Sequence, residues 1–168
     1  MNKFYNGFTA VNNFLKKAEM FVGSACLAVL FVVMIVNAAL RYLFHTGLDF
    51  SDELNGFLFV WLGFLSAAYI MANKGHLCVT ALVEILPKTV QFVLSIIMNL
   101  IMVVVIVLYM APLGKLLNML PISNVMRLPL RYVYIILPIC FILMAIHIIC
   151  NIIDDSVAYK LSAKRKEV

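Results

Sequence analysis

Four stretches of this chain contain no Asp, Glu, Lys or Arg: 20–40, 54–73, 89–114 and 132–153. Nothing else constrains the fold as strongly. A helix needs about 20 residues at 1.5 Å each to cross a hydrocarbon core of roughly 30 Å, and each stretch reaches that length. Inside lipid every backbone N–H and C=O must be bonded within the protein, which leaves helices or closed barrels. These stretches are too long and too uniformly apolar for alternating barrel strands. The expected fold is therefore all-α and integral to a membrane, with four transmembrane helices in a single unit over 1–168.

Composition agrees. Only 12% of the 168 residues are charged, against about 25% in soluble domains, and the mean hydropathy is +1.05. A net charge of +5 invites a nucleic-acid reading. The basic residues, however, flank apolar runs instead of gathering among aromatics, so no nucleic-acid partner is expected. With four spans, both termini and the middle loop share one side. That side holds Lys3, Lys16, Lys17, Lys74, Lys88, Lys160, Lys164, Arg165 and Lys166, against Arg41, Lys115, Arg127 and Arg131 on the other. The positive-inside rule then places both termini in the cytoplasm. The first apolar run exceeds the usual signal-peptide core and reads as a retained signal-anchor.

Two segments have the pattern of short interfacial helices. Over 3–17, Phe4, Phe8, Val11 and Leu15 fall on one stripe among Lys and Asn, a pattern suited to the headgroup region. Over 76–86, Val79, Leu82, Val83 and Leu86 recur at helical spacing after the polar step Asn73, Lys74, Gly75, His76. His76 most simply holds the turn there.

Polar and small residues within the spans are few, so each one counts. Asn37 and Asn99 read as hydrogen-bonding glue between helices. Ser24 and Ala28 on the first span, and Gly63 and Ala67 on the second, are four apart and let helices approach closely. Trp61 lies on the second span, with nothing beside it to hold a cofactor. Ser51 suits a helix start, and Asp52 and Glu53 in the first turn favour the helix dipole. Arg41 could pair with these acids across the hairpin. In the loop after the third span, Pro112, Pro121 and Pro129 punctuate the chain. Arg127 and Arg131, four apart, are candidates for contacting something acidic. Pro138 predicts a kink near the start of the fourth span, and His147 falls toward its inner end.

No enzyme is expected. The sequence holds no nucleophile motif, paired catalytic acids or Gly-rich phosphate loop, and Cys26, Cys78, Cys140 and Cys150 have no metal-ligand spacing. A self-sufficient ion-coupled transporter normally carries ionisable groups or broken helices near the midplane. Here the only such group in the four runs is His147, off-centre. The chain is therefore expected to assist a partner that has the coupling machinery.

Over 41–87 the chain resembles the small membrane subunit of tripartite ATP-independent periplasmic (TRAP) transporters, the DctQ-like family. The matching residues are Arg41-Tyr42-x-Phe44, the acidic pair Asp52-Glu53, then Trp61, Phe64, Ala67 and Ala68. Lys74-Gly75-His76, Val79 and the closing Leu86-Pro87 follow. The resemblance implies a large membrane subunit as partner, itself holding substrate and sodium, so this chain needs no cofactor. It also implies a soluble periplasmic binding protein that delivers an organic carboxylate, of the C4-dicarboxylate or sialic acid type. Uptake would be driven by an ion gradient, commonly sodium, across the bacterial inner membrane. Arg41, Trp61, Gly63 and Ala67 would then face the large subunit, with membrane lipids filling gaps. Asp52, Glu53, Arg127 and Arg131 would help dock the binding protein. Phe4, Phe8, Lys74 and His76 would sit at the inner interface. One alternative is a haem-bearing redox anchor using His76 and His147, which both fall on the inner side. Another is a small multidrug-type exporter, against which the lack of a buried acid argues.

Overall fold

A computed structural model describes residues 2–73 and 86–164, with side chains at 7, 9–73, 86–87 and 89–157. Five helices make up this part: α1 Asn2–Phe44, α2 Ser51–Ala72, α3 Lys88–Met119, α4 Leu130–Tyr134 and α5 Ile136–Lys164. Four segments are long and apolar enough to cross a membrane: Thr9–Phe44, Ser51–Ala72, Thr89–Met119 and Leu130–Val157. The chain is thus an all-α, multi-pass membrane protein. The segment 76–86, with Lys74 and His76, lies outside the described residues.

The helices do not close into a bundle. α1 packs on α2, α2 on α5 and α5 on α3, while α1 and α3 share no substantial contact. The result is an open row ordered α1, α2, α5, α3, in which α1 also touches α5 toward the terminal end. The turn 45–50 and the loop 120–129 lie at one end of the row, called here the hairpin end. The chain's N-terminal residues lie toward the opposite, terminal end. In such a row most side chains face outward. Only 17% of the apolar window is buried in three of the spans, against 44% in the last, which includes α5.

The core runs along the α2–α5–α3 seam. Ala68 and Met71 of α2, Ile106 and Leu113 of α3, and Phe141, Met144 and Ile148 of α5 form one buried cluster. Phe141 meets Phe64 edge-on at 5.9 Å and stacks on Tyr109 at 6.4 Å. Both separations suit paired rings. Ala68, fully buried, is the small residue that lets the seam close.

Several boundaries differ from expectation, each for a physical reason. Residues 3–17 form no separate interfacial helix but are continuous with the first span in α1. Lys16, Lys17 and Glu19 mark a change of polarity, yet Lys and Glu are good helix formers and do not interrupt the ladder. Pro112 lies inside α3, not in a loop. Helix interiors in membranes tolerate proline where neighbours re-satisfy the freed carbonyl. Leu116, Leu117 and Met119 therefore belong to the last turns of a helix about 48 Å long at 1.5 Å per residue. Near Pro138 the fourth span is interrupted close to its start, where a kink was expected. Pro138 falls in the first turn of α5, after the break at Ile135, where backbone N–H groups have no intrahelical partner anyway.

Candidate functional site

At the hairpin end, Asn37 of α1 is the pivot of the first turn. Its Oδ1 accepts the Leu48 N–H at 2.9 Å, so this amide ties its own turn and not a neighbouring helix. His45 takes a left-handed backbone, φ 52°. Gly47 lies directly on the Arg41 stem: a Cβ there would sit 3.3 Å from Arg41 Cγ. Arg41 forms no ion pair with Asp52 or Glu53, or with any other described residue. The expected cross-hairpin bridge is absent: Glu53 is engaged elsewhere, and Asp52 is exposed with no ion pair among the described residues.

Glu53 holds the second loop. Its Oε1 accepts the Asn124 and Val125 N–H groups at 2.8 and 3.1 Å, and its Oε2 accepts the Met126 N–H at 2.8 Å. Three donors converging on one carboxylate make a strong anchor. The loop closes on itself as well, with Ser123 N–H donating to Leu128 O at 2.8 Å and Leu130 N–H to Pro121 O at 3.2 Å. Arg127, the next residue, adopts φ 52°. Such a backbone is uncommon for a residue with a Cβ. Arg131 lies with its guanidinium 5.5 Å from the Tyr132 ring, a cation–π distance. Arg127 and Arg131 are both exposed.

Trp61 serves as an internal joint. Its Nε1 donates to Val133 O at 2.8 Å, linking α2 to α4, and the ring packs on the Leu65, Ile136 and Cys140 cluster. Gly63 and Ala67 point the other way. Both are exposed, and a Cβ on Gly63 would meet nothing within 4 Å. Close packing on α1 occurs through buried Gly23 and Cys26, with Gly23 facing Leu62, while Ser24 and Ala28 are exposed. Phe4 and Phe8 lie on α1, and their side chains are outside the described set.

The terminal end carries a polar cluster that sequence reasoning missed. His147 of α5 is fully buried. Its Nε2 donates to Glu19 Oε1 at 2.8 Å, and its Nδ1 lies 2.6 Å from Asn12 Oδ1. Both ring nitrogens are engaged, so neither presents a free lone pair to a haem iron. Glu19 Oε2 is buried without a partner. Around the cluster, Asn151 Nδ2 donates to Met71 O at 2.9 Å and Ser95 donates to Asp155. Asn99 bonds Ser95 O on its own helix at 2.9 Å. These bonds tie α1 to α5, α5 to α2 and α3 to α5. One signal was available in the sequence: Asn12 and Glu19 are seven apart, two helical turns, and so share a face. Cys26, Cys140 and Cys150 are buried free thiols.

Among the described residues, nothing gathers three His, Cys, Asp or Glu side chains into a possible metal site. Most polar groups named above are bonded within the chain, and much of the surface left over is apolar. This defines a class: a multi-pass helical membrane protein. Residues 30–157 match the family described as "Tripartite ATP-independent periplasmic transporters, DctQ component", and the chain belongs to that family. Two proteins of Haemophilus influenzae (strain ATCC 51907 / DSM 11121 / KW20 / Rd), each named "Putative TRAP transporter small permease protein", are similar to it. One is 33% identical over 92 residues, covering 55% of this chain and 57% of that protein. The other is 26% identical over 92 residues, covering 55% and 56%. The chain thus spans little more than half the length of these relatives. "Sialic acid TRAP transporter permease protein SiaT" of Haemophilus influenzae (strain 86-028NP) is 26% identical over 78 residues, 46% of this chain and 13% of that protein. No solved structure matches.

Proposed function

We propose that this chain is the non-catalytic small subunit of a gradient-driven TRAP transporter in a bacterial inner membrane, bracing a large membrane subunit. In this reading both termini are cytoplasmic and the hairpin end is periplasmic. The large subunit holds the substrate, an organic carboxylate such as sialic acid or a C4-dicarboxylate, and the sodium ions that drive uptake. Similarity to a protein named as a sialic acid permease supports the substrate class. The observation that carries the bracing role is the exposed Gly63–Ala67 strip on an open row of helices. Small residues free of intramolecular neighbours let a foreign helix approach closely.

The hairpin end would receive the periplasmic binding protein. Glu53 serves it indirectly, by fixing the loop that presents Arg127. An arginine held at a left-handed position, where glycine or asparagine fits more easily, supports a use for its charge. Asp52 and Arg131 are exposed at the same end. The test is co-purification with a tagged large subunit. Gly63→Trp and Ala67→Trp are expected to abolish recovery of this chain. Leu108→Trp, on an exposed face of α3, is expected to leave recovery unchanged. Full recovery of both α2 variants would overturn the reading.

A further inference from the structure

The α1–α2 hairpin holds two adjoining cavities whose chemistry the bracing role does not use. The first, about 520 Å³, is lined by Arg41, His45, Asp49, Ser51 and Asp52, with Asn37 and the turn backbone at its base. The second, about 500 Å³, shares Asn37, Arg41 and Asp52 and runs along α1 past Ala38 to Met34, with Asn55 on its α2 wall. Met34 is seven residues from Arg41, so the groove descends roughly 10 Å along the helix. It leads from a charged mouth into the apolar layer.

Positive and negative groups stand side by side in that mouth. The Arg41 stem is set by its contact with Gly47, and its guanidinium has no ion-pair partner among the described residues. α2 begins there without a side-chain cap, and an uncapped helix start favours an anion. Asp49 and Asp52 are exposed and likewise without an ion pair among the described residues. Two further polar atoms lack partners. Ser51 Oγ and Asn55 Oδ1 are buried and unbonded, one turn apart on α2, with one residue lining each cavity. A buried polar group without a partner is costly, and two in one groove point to a ligand that bonds them. Tyr42, Leu43 and Phe44 are exposed beside the mouth, as in the belt of side chains found at headgroup depth.

We propose that this groove binds a zwitterionic aminophospholipid of the phosphatidylethanolamine type, its phosphate on Arg41 and the start of α2, its ammonium on Asp49 and Asp52, and its first acyl segment along Met34 and Ala38. Arginine is the side chain best shaped for phosphate. A primary ammonium offers N–H donors to both carboxylates and to Asn55 Oδ1. Phosphatidylglycerol has no cation and leaves the two acids unneutralised. Phosphatidylcholine carries methyl groups where N–H donors are needed.

The experiment uses the purified full-length chain and no large subunit, so its outcome is independent of the bracing role. Native mass spectrometry follows retention of added phosphatidylethanolamine, phosphatidylcholine and phosphatidylglycerol, with circular dichroism as the check on folding. Phosphatidylethanolamine is expected to be retained at about tenfold lower concentration than phosphatidylglycerol, a gap of ~1.4 kcal/mol. Arg41→Gln and Asp52→Asn are each expected to erase that preference, and Lys115→Gln to leave it intact. Asp52→Asn is isosteric and on the surface, so it decides the matter if Arg41→Gln does not fold. Equal retention of the lipids by the unaltered chain, or an unchanged preference in the folded variants, would overturn the proposal. So would displacement of bound lipid by equimolar soluble glycerophosphoethanolamine, which would mark a headgroup-only site.

Discussion

Removing the His147 imidazole is the sharpest test of how the row holds its N-terminal helix. His147→Ala deletes both bonds at once and leaves the Glu19 carboxylate with neither oxygen partnered. The side chains of His147 and Glu19 are 0% and 3% exposed, so water offers little relief. Interhelical hydrogen bonds in membranes average about 0.6 kcal/mol and reach ~1.7. Two bonds therefore contribute about 1–3 kcal/mol, and stranding a buried charge in a soluble core costs about 3–5 kcal/mol. The expected loss lies between, at about 2–4 kcal/mol. Glu19→Ala strands only one ring nitrogen and should cost about 1–2 kcal/mol. The double variant no longer strands Glu19 and leaves only Asn12 Oδ1 without its His147 partner, so its loss should fall short of the sum by about 1–2 kcal/mol. Unfolding by sodium dodecyl sulfate in mixed micelles, read by the emission of the single tryptophan, measures all three. Single losses that add to within ~0.3 kcal/mol would refute a direct Glu19–His147 pair.

Further outcomes follow from the hairpin end and the exposed strip. Glu53→Gln should speed amide hydrogen exchange at Asn124, Val125 and Met126 by tenfold or more, without changing exchange in α3. Trp61→Phe should lower stability by about 1 kcal/mol, because the Val133 carbonyl loses its donor while the ring packing survives; thermal unfolding in detergent reports it. Gly63→Trp should leave the unfolding temperature of the isolated chain within about 1 °C of the original, since among the described residues nothing lies within 4 Å of a Cβ placed there. A large drop would mean that α2 packs through this face.

The number and placement of the helices were legible because long uncharged runs have few other ways to satisfy their backbone. The ends were less so. A Lys-Lys pair before the first span reads as a boundary, yet the backbone ladder is indifferent to a change in side-chain polarity, and α1 runs through it. Pro112 reads as loop punctuation by the rules of water-soluble chains, which a membrane helix does not obey. The site was legible in part. Arg41, Asp52 and Glu53 stood out as charges beside apolar runs, but the acceptors and donors that sort them are backbone groups of distant loops. Glu53 finds its partners 71 to 73 residues away. Glu19 did not stand out in the sequence, because its partner is 128 residues distant. The small-residue spacing at Gly63 and Ala67 was plain, whereas the side of α2 used by the chain itself depended on Ala68, one residue and 100° away.

An open row of rods is not equally stiff in every direction. Each rod resists bending along its length, because shortening one side would break its hydrogen-bond ladder. Adjacent rods can roll on one another at far smaller cost, since only side-chain contacts shift. The two polar clamps at opposite ends of the rods oppose that rolling where it would begin. Such a plank should flex across the membrane plane and hold firm along the membrane normal, so a body sliding against it in that direction would meet a rail.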